Sequence, residues 1–160
     1  GGRYRRVGCG GLARAVGLTD GFPLIAYRSV AKSLELTADN AEDIADIVFE
    51  AEEGTLDVDQ STMRRIREFN DKVDKISQCA VEAVVERDYD KTLAARETFR
   101  DIADREEEIL DDLPEMSNQE LLLVRDVLVA LQQTAEYAMR NVEIASNLAL
   151  NESSDYTTIA

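Results

Sequence analysis

The chain has 160 residues, 33 acidic and 18 basic side chains, no histidine, no tryptophan and a formal charge of −15. That length is enough for one domain, or two small ones, with a real core. So acidic a body repels nucleic-acid backbones and anionic lipid, which counts against a DNA or membrane-surface role. The lack of histidine removes the usual general base and triad member.

Two prolines and eight glycines leave little punctuation for strands and turns. Alanine, leucine, glutamate and arginine favour helix instead. No apolar run approaches the ~20 residues of a membrane span, and the basic start is not followed by the apolar core of a signal peptide. Cys9 and Cys79 lack metal-type spacing and read as reduced thiols of a cytoplasmic protein. Residues 1–20 carry Arg3, Arg5, Arg6 and Arg14 against Asp20, a net +3, which leaves −18 on the rest. Acid excess with little lysine suggests adaptation to a salty cytoplasm, where screening tolerates self-repulsion.

In chain order, residues 1–22 are glycine-rich and basic and read as a flexible lead or the remnant of a preceding helix. Gly8-Cys9-Gly10-Gly11 lacks the lysine and spacing of a phosphate loop. Thr19 to Pro23 has the form of a helix start, and the first helix is expected to run to about Glu53 and stop at Gly54. Asp57 or Asp59 opens the second, with Ile66, Phe69, Val73, Ile76, Ala80, Ala83 and Val84 as its buried seam, fading near Asp88. Asp90 is expected to cap the third, which spans Lys91 to about Asp112 and closes at Leu113-Pro114. Ser117-Asn118-Gln119-Glu120 has the form of a capping box; the fourth helix starts there and runs to roughly Asn151. A bundle over residues 23–152 and a polar, disordered tail over 153–160 complete the organisation. No strand pattern is present. Four helices joined by short turns predict an all-α, antiparallel up-down bundle.

Two stripes run along the first helix. Tyr27, Ala31, Leu34, Ala38, Ala41, Ala45 and Val48 recur at steps of four and three, which predicts the buried face. Glu35, Asp39, Glu42, Asp46 and Glu50 follow one residue later, roughly 100° further around the helix. The pattern returns in the fourth helix, with Leu131, Ala135, Ala138, Val142, Ala145 and Ala149 as its seam. Leu34 to Ala41 aligns with Leu131 to Ala138, which reads as an internal repeat in which Gln132 stands where the first copy has Glu35. The aromatics Phe49, Phe69, Tyr89, Phe99 and Tyr137 fall on or beside seams and are expected in the core. Arg64, Arg65 and Arg67 form a basic cluster, better read as a solvated face or interhelical pairing than as an anion site.

Acids at helical spacing are candidate ligands for a hard or borderline cation when two packed helices bring them together. The candidates are Glu35, Asp39 and Asp43 on the first helix, Glu97, Asp101 and Asp104 on the third, and Glu136 on the fourth. The competing reading is that they coat solvated helix, and so many acids yield such pairs by chance. Catalysis finds no support.

The segment from Tyr27 to Ala45, with Leu34-Glu35-Leu36-Thr37-Ala38-Asp39-Asn40-Ala41 at its centre, resembles the signature helix of the PhoU family of phosphate-uptake regulators. Leu131 to Ile144 resembles a second copy. The resemblance covers residues 23–150 and implies a spectrin-like three-helix bundle plus one helix, the first bundle being mostly missing. It also implies iron or zinc held by acidic motifs, with Glu35, Asp39 and Asp43 matching the first signature. Glu136 matches the second signature, Glu97 and Asp101 match the middle helix, and Asp104 is a near alternative; Gln132 departs where an acid is expected. The partners it implies are a phosphate transporter's ATPase or a sensor kinase, with regulation by contact and no catalysis. A homodimer paired across the first helix is a further expectation, motivated by the missing helices. The alternative is a generic helical scaffold or interaction protein without metal.

Overall fold

A computed structural model describes residues 22–53 and 58–155. The architecture is all-α: α1 Phe22–Glu53, α2 Gln60–Glu86, α3 Tyr89–Asp111 and α4 Asn118–Asp155. Helices α2, α3 and α4 pack mutually, while the backbone of α1 approaches α4 alone. The start of α1, Ala26 and Val30, clusters with the ends of α2 and α4 at Ala83, Val84, Ala145 and Leu148. The α1 helix therefore runs antiparallel to both. Lys72 of α2 lies 3.7 Å from Asp101 of α3, and Arg65 lies 3.0 Å from Asp112, so α3 also runs against α2. The topology is up-down-up-down, built as a three-helix bundle with a fourth helix laid along α4.

The helix starts follow from their side chains. Asp59 opens α2, its carboxylate accepting the backbone N–H groups of Ser61 at 2.8 Å and Thr62 at 3.1 Å. That satisfies two of the donors a helix start leaves free. The capping box at Ser117 forms in both directions: the Ser117 N–H donates to Glu120 at 2.7 Å and the Glu120 N–H donates to Ser117 Oγ at 3.2 Å. At α3 the cap is Asp88, two residues ahead of the expected Asp90. Its carboxylate accepts from the backbone of Asp90 at 2.9 Å and of Lys91 at 3.4 Å. The shift arises because Arg87 turns the chain in one step, with φ 54° in the left-handed region, which leaves Asp88 to cap. Asp90 instead sits in the first turn, where a negative charge favours the helix dipole. The α4 helix continues to Asp155, so residues 153–155 of the expected tail are helical. The expectations for residues 1–21, for Gly54 and Asp57 and for residues 156–160 lie outside the described residues.

The Asp59 cap makes α2 acid-sensitive. The Thr62 hydroxyl, then the Thr62 and Ser61 N–H groups and Arg65, hold its carboxyl below its ordinary value of 3.8. A lowered folded-state pKa contributes stability that is present above the unfolded value and lost as pH falls through the folded one. Thermal unfolding should therefore show Asp59→Asn close to wild type at neutral pH, because asparagine also caps. Below about pH 4 the wild type should lose an increment that the variant does not.

The core lies among α2, α3 and α4. Ile66, Phe69, Val73, Ile76 and Ala80 of α2 meet Ala95, Ile102 and Ile109 of α3 and Val124, Leu128, Leu131, Ala135, Ala138 and Val142 of α4. All seven residues expected on the α2 seam are buried, and on α4 only Ala149 is left half-buried. The α2 seam is rich in branched aliphatics, whose burial stabilises most per residue, and Val124, Val127 and Leu128 supply them on α4 beside its alanine-rich seam.

The expected face of α1 is not the buried one. Tyr27, Ala31, Leu34, Ala38, Ala41, Ala45 and Val48 are exposed, Leu34 by 45 %. Ala26, Val30, Ser33 and Asn40 are buried instead, with Thr37, Ile44 and Ile47 half-buried on the same face. The helix is turned by one residue, roughly 100°, from the orientation its apolar pattern suggests. Asn40 supplies the reason: its amide donates to the Ala130 carbonyl at 3.2 Å and to Thr134 Oγ1 at 3.1 Å. Thr37 on this face donates to the Ser33 carbonyl at 3.0 Å, and on α4 Thr134 donates to the Ala130 carbonyl at 3.0 Å. A face of Ser, Thr and Asn therefore costs little to bury. Leu34 and Leu131, aligned in the repeat, thus lie in different environments, one exposed and the other buried at 6 %.

Candidate functional site

Among the described residues, the outward stripe of α1 is an apolar surface that internal packing does not use. It runs from Tyr27 to Val48 with exposed alanines at 31, 38, 41 and 45 and Leu34 among them. Phe49, exposed by 66 %, extends it. Contiguous exposed apolar surface of this kind marks a contact site more often than scattered single residues do. Beside the stripe lies the acidic row of Glu35, Asp39, Glu42 and Asp46, all exposed.

The stripe borders a groove between α1 and α2. At one end Arg87 donates to the Tyr27 hydroxyl at 3.4 Å, which ties the stripe to the end of α2. At the other end Ile44 and Val48 of α1 face Met63, Ile66, Arg67 and Asn70 of α2 over a floor of Leu123, Val127 and Leu131 from α4. The cavity there is about 220 Å³, below the 300–1,000 Å³ usual for small-molecule sites. It suits an inserted apolar side chain better than a ligand or cofactor.

The candidate metal ligands are dispersed. Glu35, Asp39 and Asp43 are exposed on α1, Glu97, Asp101 and Asp104 on α3, and Glu136 on α4. Among the described helices the backbones of α1 and α3 do not approach one another, whereas α3 packs on α4. Glu35 pairs with Lys32 at 3.0 Å, and Asp101 faces the Lys72 ammonium at 3.7 Å. Asp43 does meet carboxylates beyond its own turn: with Asp46 and with Asp126 of α4, which sequence spacing could not reveal, it lines a shallow depression of about 350 Å³. Among the described residues no group of three or more His, Cys, Asp or Glu is placed to hold a metal ion.

Other charged groups serve packing. Arg65 pairs with Asp112 at 3.0 Å and Arg64 approaches Glu68 at 3.9 Å, so two members of the basic cluster pair with acids. Lys91 bridges Glu82 and Glu86 across the α2–α3 turn. Glu82, held low by the Lys91 ammonium and the Gln78 amide, stays ionised there. Burial raises the Glu106 carboxyl above its ordinary value, with Arg125 opposing. Of the aromatics, Phe69 is buried and Phe99 and Tyr137 are half-buried, whereas Phe49 and Tyr89 are exposed, contrary to the core expectation. Phe49 follows the rotation of α1, and Tyr89 is the first residue of α3, on a helix end with little to pack against. Among the described residues no helix is long and apolar enough to cross a membrane. The chain matches no family model, no curated protein and no solved structure.

Proposed function

We propose that this chain is a non-catalytic contact module, a helical bundle that regulates by presenting the α1 stripe to another protein. One observation carries the reading: Tyr27, Leu34 and Val48 lie exposed on a helix whose other face is already docked on α4. The physiological setting is regulation of phosphate uptake in the cytoplasm, which rests on the likeness of Tyr27–Ala45 to the PhoU signature. On that reading the partner is a phosphate transporter's ATPase or a sensor kinase.

The form without metal is favoured over the metal-loaded one, because Lys72 already neutralises Asp101 and the α1 and α3 acids do not meet. Elemental analysis of purified protein separates the two. Stoichiometric iron or zinc that disappears in the Glu97→Ala, Asp101→Ala variant would restore the metal-loaded form. The function itself is tested by deleting the gene and following phosphate accumulation during growth. Altered accumulation, rescued by the wild-type chain but not by Leu34→Glu, is the expected result; unaltered accumulation would remove the phosphate setting.

A further inference from the structure

We infer that the α1–α2 groove receives an amphipathic helix with a cationic flank. This rests on the reading of α1 as a contact surface and specifies what that surface binds. Three features of the groove define the occupant.

The first is shape. Alanines at 31, 38, 41 and 45 give the stripe a low profile, with Leu34 as a single ridge. Small side chains let two helices approach toward the short end of the 8–10 Å range of interaxial distances. The length of the stripe, Tyr27 to Val48, matches several helical turns and thus a helix with anchors at i, i+3, i+4 and i+7. The second is the cavity lined by Ile44, Val48, Met63, Ile66, Leu123 and Val127, which fits one large apolar anchor of the occupant near the C-terminal end of α1.

The third feature is charge, which decides among occupants. Glu35, Asp39, Glu42 and Asp46 form one exposed rim along α1, and among the described residues only Glu35 pairs with a cation, Lys32 at 3.0 Å. A second copy of this chain would bring the same row with it. In a two-fold pairing of antiparallel α1 helices through the stripe, both acidic rows fall on the same side of the contact, and like charges so placed are destabilising. A helix with Lys or Arg along one flank is complementary instead. On the α2 side Arg67 and Asn70 line the groove, so the other flank of the occupant is neutral or acidic. Cationic on one flank only, the occupant has a defined direction in the groove.

The test is titration calorimetry of the whole chain with two synthetic helical peptides that share one leucine stripe. One carries Lys and Arg on a single flank, and its twin carries Glu at the same positions. The expected result is 1:1 binding of the cationic peptide only, weakening about tenfold as salt rises through the range where the screening length falls below ~10 Å. Leu34→Glu should abolish it, with circular dichroism confirming the fold. The exposed pair Asp39→Lys, Glu42→Lys should reverse the preference between the twins. Binding of neither peptide, equal binding of both, or unchanged binding by Leu34→Glu would overturn the inference. So would self-association that strengthens with salt and that Leu34→Glu abolishes, since a second copy would then be the occupant. The deletion phenotype does not depend on these outcomes: a phosphate defect without peptide binding sinks this inference alone, and peptide binding without a phosphate defect sinks only the phosphate setting.

Discussion

Leu131→Glu should unfold the bundle, whereas Leu34→Glu should leave its melting temperature almost unchanged. The two leucines occupy the same place in the internal repeat, and their sequence neighbours give no reason to expect different outcomes. The difference is environment. Leu131 is 6 % exposed within the α2–α3–α4 core, with Val127, Leu128 and Ala135 of the same helix in that cluster. A carboxylate there loses most of its hydration, at a cost of several kcal/mol, on top of about 1.5–3 kcal/mol of lost apolar burial. Set against a total stability of about 5–15 kcal/mol for a domain, that is most or all of it. Leu34, at 45 % exposure, keeps a glutamate hydrated on a helix-compatible side chain, and a change within about 1 kcal/mol is expected. Thermal unfolding followed by circular dichroism reads both.

Asn40→Asp should release α1 from α4 at neutral pH and restore it in acid. The substitution is nearly isosteric, so packing changes little. What changes is the donor: the Asn40 amide gives one hydrogen bond to the Ala130 carbonyl and one to Thr134 Oγ1. A carboxylate cannot donate, and it would face the carbonyl oxygen with a buried charge, for a penalty of about 3 kcal/mol. Protonated, the same group donates again. The folded-state pKa of the introduced carboxyl is therefore raised, and the sign follows. The penalty is absent below the unfolded value of about 3.9, grows as pH rises above it, and is complete above the raised folded value. Backbone amide exchange along α1, compared at neutral and acidic pH, should show the loss of protection confined to that helix. Uniform loss across α2 and α3 would mean that α1 is not the separable layer its packing indicates.

Most of the fold can be read from the sequence, for physical reasons that also explain where the reading stops. Asp59 and the Ser117–Glu120 box are local devices: side chain and recipient N–H lie within three residues, so sequence contains the whole interaction. The α2 seam is legible because Ile66, Phe69, Val73 and Ile76 outweigh anything on the neighbouring faces, and the α4 seam, though alanine-rich, has no competing polar face that finds partners elsewhere. Helix α1 lacks that contrast. Its stripe is mostly alanine, and its true packing face hides Ser33, Thr37 and Asn40, which read as polar until their partners on α4 and one turn back are known. The acids fail for a related reason. Spacing of four places Glu35 near Asp39, or Glu97 near Asp101, on one helix, but which acids of different helices come together depends on packing that spacing does not contain. Asp126 near Asp43 was invisible for the same reason, because their proximity depends on the α1–α4 register.

The contact surface depends on which way α1 is turned, and two adjacent residues report it. In a background with Cys9→Ala and Cys79→Ala, Ser33→Cys and Leu34→Cys can each be exposed to a thiol reagent under native conditions. The cysteine replacing Leu34 should react at close to the rate of the unfolded chain. The cysteine replacing Ser33, a change of one atom at a buried position, should react at least about tenfold more slowly, limited by local opening of the helix. The reverse order would put the alanine-rich stripe against α4 after all, and the contact surface with its acidic rim would not exist.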